Sequence, residues 1–414
     1  MNGMSVVTLV WFVRPKILSR IFGTSWARIN SWFTPMMVSV RGRQHIDPGQ
    51  SYVIVCNHQS QYDIFVLYGW LGIDFKWIMK QELRNIPVIG VACEKLGHIY
   101  VDRSNREAAL AAMSLLAKHR KVSILTTGVL TPKYHAMVAE NYDKFKYCFR
   151  IHGEAKQLVG EMFANFGALK KKHGFNNLFI IAQDVSHARG AAKVMKKVAE
   201  KKGWNVTGVE IYPTGATDFS IGLLKAKRTK SEIINIWMDM PESAILLKQW
   251  YEMKIPALPF GSTLAAAEQP GFWDATEGKG EYTLCNVVNA GNAPSDATPW
   301  TMKFYNAYEK RWDVAPEGLG GSSSYMAIYV LRDAIERAGS LDSDKIVAEL
   351  EKTDVMGVYG RLKFDPKSHQ VVPALDHETG AVGSILQWQA GKRVVVYPKS
   401  IAKGEIQLPP WMKP

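Results

Sequence analysis

At 414 residues the chain is longer than one hydrophobic core usually supports, so two or three domains are expected, each able to bury a sizeable core. Its net charge of +13 is concentrated at the front: residues 1–124 carry 15 Lys and Arg against 7 Asp and Glu, the remainder 36 against 31. A basic, aromatic front suits an anionic lipid surface or a polyanionic substrate; no recognition helix, zinc spacing or aromatic RNA-binding signature accompanies it, so lipid is expected as the partner and nucleic acid is not.

Residues 1–12 are apolar, but the clean run 6–13 is far below the ~20 residues needed to cross a bilayer. No basic residue precedes the run and no small-residue cleavage site follows it, so it makes no convincing secretory signal. Arg14, Lys16, Arg20 and Arg28 then interleave with Ile17, Leu18, Ile21, Phe22, Trp26 and Trp32. That composition predicts an interfacial amphipathic helix, or else a surface helix packed on its own domain. Cys56, Cys93, Cys148 and Cys285 are too widely spaced for zinc or a disulfide framework and read as buried thiols.

Further along, the pattern predicts a strand over 51–56, a turn over 57–61 and a helix over 62–70. A strand over 75–79, a short helix over 86–94, a strand over 98–101, a long helix over 106–119 and a strand beginning at 122–125 follow. His58 sits at a strand-to-helix junction, and Asp63 can reach back across the turn to orient its imidazole. The bland alternatives are a helix-capping histidine and, later, a solvated Arg103.

With Asn57-His58, Asp63 and the block Gly97, Tyr100, Val101, Arg103, residues 1–124 resemble the 1-acylglycerol-3-phosphate (lysophosphatidate) acyltransferase family. The resemblance implies catalysis by His58 as general base and Asp63 as its orienter, with Arg103 and Asn57 on the substrate phosphate. It implies acyl-CoA or acyl carrier protein as acyl donor, a lysophospholipid as acceptor, no bound cofactor and no metal. It also implies a peripheral position on the cytoplasmic face of the inner membrane, against an anionic lipid surface. The family's Glu-Gly-Thr-Arg block is absent from the chain, so the acyltransferase α/β segment reads as truncated and its activity as impaired.

From Asn177 the alternation becomes regular. Strands over 178–182, 206–212, 233–238 and 257–261 are separated by helices over 190–202, 219–226 and 242–253, which predicts a parallel sheet covered on both faces. Helices over 298–312, 322–338 and 344–352 follow, then turn-linked strands around 360–364 and over 385–397 with the bend at Ala390-Gly391-Lys392.

On the stretches 174–183, 217–220, 324–339, 360–366 and 383–388, residues 126–414 resemble the leucine/isoleucine/valine-binding, type I periplasmic solute-binding proteins of ABC transporters. The fold implied is a two-lobe α/β region, with lobe two over about 133–262, an incomplete lobe one over about 263–370 and C-terminal strands over about 371–414. The implied partners are a small-molecule solute and an ABC permease. The implied solute contacts are Thr127 and Thr131, Asp184 and His187, Asp239 and Thr263. Asp184 and Asp239 read equally well as residues that start helices, and the identities at 239 and 263 depart from those of close branched-chain amino-acid binders.

The chain thus reads as a composite: a partial 1-acyl-glycerol-3-phosphate O-acyltransferase fused to a substrate-binding region. The join near Leu125 has no linker and falls where a buried strand should continue, whereas working fusions usually join whole domains. Two alternatives stand beside the composite: solute binding only, and a chimeric product with neither activity.

Overall fold

In the computed structural model the described residues are 23–34, 37–47, 62–73, 75, 77–87, 89–96, 98–101, 120, 122–126, 130–262, 264–318 and 320–412. The chain divides into two compact units, Met1–Ala112 and Met113–Pro414.

In the first unit, helices α1 (Thr24–Trp32) and α2 (Tyr62–Trp70) pack together, with Trp26 edge-on to Phe65 at 5.0 Å and the Arg28 Nε donating to the Gly69 carbonyl at 2.9 Å. Strand β1 (Ile78–Lys80), helix α3 (Ile89–Lys95) and strand β2 (Ile99–Val101) follow, β1 and β2 pairing in parallel from Ile78 opposite Ile99. The expected helix over 62–70 is present with those bounds. The expected strand over 51–56 and helix over 106–119 lie outside the described residues.

The second unit opens with strand β3 (Ser123–Leu125), which lies parallel to β4 (Cys148–Arg150) with Ser123 opposite Cys148. The expected strand at 122–125 therefore exists, and its partner is a strand of this unit. Helix α4 (Lys133–Glu140) lies between them in sequence.

The main sheet has seven strands. Strands β5 (Asn177–Gln183), β6 (Asn205–Tyr212), β7 (Ile233–Trp237), β8 (Leu258–Gly261) and β9 (Leu284–Val287) run parallel; β12 (Ser384–Gln389) and β13 (Lys392–Tyr397) complete the order β13-β12-β9-β8-β7-β5-β6 as an antiparallel hairpin. A separate hairpin is formed by β10 (Asp354–Gly357) and β11 (Gly360–Lys363).

Alternation along β5 shows why both faces are covered. Leu178, Ile180 and Ala182 enter one core with α5 (Ala155–His173) and α6 (Ser186–Lys201). Phe179 and Ile181 enter the other with α7 (Ser220–Arg228) and α8 (Ser243–Glu252). Helix α6 buries Ala188, Ala192, Met195 and Ala199, a stripe at helical spacing. Helix α5 stops at Gly174, whose φ of +77° closes the last turn through an N–H to the Lys170 carbonyl at 2.9 Å.

The remaining helices α9 (Thr301–Trp312), α10 (Gly321–Ala338) and α11 (Ser343–Glu351) gather with β3, β4 and the β10-β11 hairpin into a smaller assembly. The Tyr359 hydroxyl donates to the Ile151 carbonyl at 2.7 Å, the Ser323 hydroxyl reaches the Thr126 carbonyl at 2.5 Å, and Phe149 meets the Phe364 ring edge-on at 5.0 Å. Stretches 151–154, 288–290 and 382–383 carry the chain between this assembly and the seven-stranded sheet.

Candidate solute site

The carboxyl ends of β5, β6 and β7 lie side by side, the place where ligands bind in sheets of this kind. Gln183, Pro213, Thr214, Gly215, Phe219, Met238, Met240 and Glu242 line a narrow crevice there. Gln183 Nε2 donates to Thr214 Oγ1 at 2.8 Å, and Glu242 Oε1 accepts from the Gly215 N–H at 2.9 Å. Each side chain keeps one buried oxygen, Gln183 Oε1 and Glu242 Oε2, without a hydrogen-bond partner among the described residues. Buried acceptors are seldom left in that state, so the crevice holds two oxygens with hydrogen-bonding capacity to spare.

Of the residues expected from sequence, His187 and Asp239 are brought together: His187 Nε2 lies 3.0 Å from Asp239 Oδ2 across the ends of β5 and β7. The hydrogen bond from His187 holds the Asp239 carboxyl below the usual carboxylate range. Helix α6 begins at Ser186, four residues before the expected start at 190, so His187 belongs to its first turn. Asp184 pairs with Arg189 instead of capping the helix, whose N-cap Val185 has no side-chain bond. Asp239 precedes α8 by four residues and does not cap it.

Thr131 is held from beneath. The buried Arg150 guanidinium donates from Nη1 to the Thr131 carbonyl at 3.0 Å and from Nη2 to His135 Nδ1 at 3.0 Å and Glu154 Oε2 at 3.4 Å; Nε meets Gln370 Oε1. Burial pulls the Arg150 guanidinium down to about 10, with Glu154 opposing. His152, two residues on, is neutral, pulled down to about 4 by burial and then by Arg150.

Asn57, His58, Arg103, Thr127 and Thr263 lie outside the described residues; Asp63 stands in the first turn of α2. Sequence reasoning missed Gln183, Thr214 and Glu242. Their only advance signal is position: each stands at or just after the carboxyl end of a predicted parallel strand. Among the described residues no group of His, Cys, Asp and Glu is arranged to hold a metal ion, and no helix is long and apolar enough to cross a membrane.

The profile described as periplasmic binding protein matches residues 98–377, and one described as acyltransferase matches residues 37–127, so the two overlap over 98–127. The Leu/Ile/Val-binding protein homolog 7 of Brucella suis is 25% identical over 241 residues, which are 56% of this chain and 57% of that protein. The human 1-acyl-sn-glycerol-3-phosphate acyltransferase alpha is 38% identical over 81 residues, 20% of this chain and 29% of that enzyme. The chain thus spans little more than half the length of the first relative and under a third of the second.

Among solved structures, one ascribed to a branched-chain amino acid ABC transporter from Silicibacter pomeroyi superposes with a TM-score of 0.63 at 18% identity, covering 73% of this chain and 79% of that one. The branched-chain amino acid substrate-binding protein LivJ of Streptococcus pneumoniae, solved in complex with isoleucine, gives 0.55 at 19% identity, covering 72% and 79%. At such identities the likeness shows the fold, a two-lobe α/β arrangement.

Proposed function

The chain belongs to the periplasmic binding protein family, and from that premise we propose that it captures a small organic solute of the amino-acid class at the carboxyl ends of β5 to β7 and presents it to an ABC permease. The pair of buried, unpartnered oxygens on Gln183 and Glu242 carries the reading, with the Asp239 carboxylate held ionised by His187 close by in the fold. An α-ammonium group supplies the donors these oxygens lack, and it favours an amino acid over a simple carboxylate. Thr131, steadied by Arg150, stands on the smaller assembly; with Thr127, Asp184 and Thr263 it completes the set of contacts this reading assigns.

Thermal unfolding of the full chain with and without isoleucine tests it, since a ligand at one hundred times its Kd adds about 2.7 kcal/mol. Isoleucine is expected to raise the midpoint, Glu242→Gln to weaken binding tenfold or more, and acetate to do nothing. Stabilisation by acetate equal to that by isoleucine would contradict the assignment. Binding is expected to weaken as pH falls through the Asp239 range, because the carboxylate form is the one that attracts a cation.

A second reading attaches to the front, because residues 37–127 match the acyltransferase profile. In it His58, oriented by Asp63, removes a proton from a lysophospholipid hydroxyl that attacks the thioester of acyl-CoA or acyl carrier protein; the C–S bond breaks and the leaving thiolate takes the proton back from His58, with Arg103 and Asn57 on the phosphate, at an anionic membrane surface. General-base catalysis is worth roughly 10² to 10⁴ in rate. Transfer to lysophosphatidate is therefore expected to be slow in the parent, for want of the Glu-Gly-Thr-Arg block, and absent in His58→Ala. A brisk rate indifferent to His58→Ala would remove this reading.

A further inference from the structure

The three connecting stretches lie against one another. The Ala290 N–H donates to the Val382 carbonyl at 2.9 Å, the Val382 N–H to the Tyr359 carbonyl at 2.7 Å, and the Tyr359 hydroxyl to the Ile151 carbonyl. Against this bundle, from α5, stands the buried Glu161. Its Oε1 accepts from Gln157 Nε2 at 2.9 Å and its Oε2 from Asn286 Nδ2 at 3.3 Å. A Cβ built on Gly383 would fall 2.6 Å from Oε1 and 2.9 Å from Oε2, so a larger residue there would push the carboxyl out of its place against the third stretch. One carboxyl thus touches a residue beside or within each stretch: Gln157 after the first, Asn286 before the second, Gly383 in the third.

Among the described residues no cation supports it. Two amides are the groups bonded to it, and burial, the larger effect, pushes the carboxyl up to about 7. The titratable neighbours do not compete near that pH: Tyr397 on β13 is shifted upward, chiefly by burial, and His152 on the first stretch is neutral above about 4. The hinge is also short of hydrogen bonds. His152 Nε2, Asn286 Oδ1, Asn289 Nδ2 and Ser384 Oγ are buried without partners among the described residues, and they stand within the three stretches or no more than two residues from them. Buried polar groups left so in one arrangement are satisfied in another, or by water.

We propose that Glu161 is a proton-operated latch on the hinge between the lobes: the neutral acid holds the arrangement seen here, and loss of its proton parts the three stretches. As an acid, Glu161 donates to Asn286 Oδ1 once that amide is turned over, which satisfies an orphaned acceptor. As an anion it would be a buried charge with no counter-charge among the described residues, and opening lets water reach both the charge and the unpaired groups. Solute retention falling with rising pH is the functional consequence, and that consequence alone rests on the solute-binding reading.

The test measures small-angle scattering and amide hydrogen exchange, corrected for intrinsic rates, on the full chain between pH 5.5 and 8.5. The parent is expected to expand with pH, and residues 287–290 and 382–384 to lose protection by about tenfold per pH unit above the midpoint, as one proton requires. Glu161→Gln is expected to stay compact throughout. Protection independent of pH in the parent, or a pH response in Glu161→Gln equal to the parent's, would overturn the latch. Isoleucine binding measured alongside separates the two readings. Its absence with the pH-driven expansion intact would count against solute capture only, and its presence with no expansion against the latch only.

Discussion

Arg150→Met is expected to lower stability by about 3 to 5 kcal/mol, the cost of removing one partner from a buried charged network. The guanidinium is fully buried, bonds Gln370, the Thr131 carbonyl, His135 and Glu154, and lies 5.2 Å over the Tyr134 ring. Methionine fills part of the space but leaves the Glu154 carboxylate and the Thr131 carbonyl facing an apolar chain. Gln370, whose Nε2 also donates to the His152 carbonyl at 2.8 Å and the Val371 carbonyl at 3.1 Å, loses the donor to its oxygen. Urea unfolding should show a lower midpoint with an unchanged slope. Arg150→Lys should recover only part of the loss, because an ammonium cannot span the same fork of acceptors. A deficit under about 1 kcal/mol for Arg150→Met would mean the network contributes no more than a surface pair.

Glu268→Gln is expected to stabilise the protein above about pH 7 and to flatten its loss of stability with rising pH. The side chain is fully buried, with Oε2 unpartnered among the described residues, and a Cβ built on Gly318 would fall 2.7 Å from the Glu268 Cβ and 2.8 Å from Oε2. Burial first, then the Glu317 charge, pushes its carboxyl up to about 8. The folded protein therefore keeps a proton that the unfolded chain releases near the ordinary carboxylate range. Stability from this group is full at low pH and lost as pH rises toward about 8, levelling off beyond. Holding a carboxyl protonated through one further pH unit corresponds to about 1.36 kcal/mol, so the whole effect is on the order of a few kcal/mol. Denaturation curves at pH 5, 7 and 9 check it, and Glu161→Gln should remove a separate portion that ends near pH 7. A parent whose stability rises steadily from pH 5 to 9 would contradict both assignments.

The alternation of short apolar runs with amphipathic helices made the main sheet legible. Each expected strand between 178 and 261 lies within one or two residues of β5 to β8, and the bend at Ala390-Gly391-Lys392 does join β12 to β13. Periodicity reports faces and lengths, which local burial fixes. It does not report which loops meet, so the contact of His187 with Asp239 was visible only as two positions near strand ends. Glu161 and Glu268 were invisible as buried acids: no expected element covered 155–173 or 265–268, and the glycines that close over them, Gly383 and Gly318, lie far along the chain. Likewise 122–125 reads as a strand in its own right, while its partner, 148–150, is set by tertiary pairing.

The central claim, that the chain is a solute receptor built on its rear unit, is met most directly by calorimetric titration of the full chain with isoleucine at pH 6 and pH 8. Saturable one-to-one binding is predicted, weakened tenfold or more by Glu242→Gln and by Asp239→Asn. Absence of heat and of competition at both pH values for isoleucine and a panel of other amino acids would contradict it. So would binding that survives both substitutions unchanged.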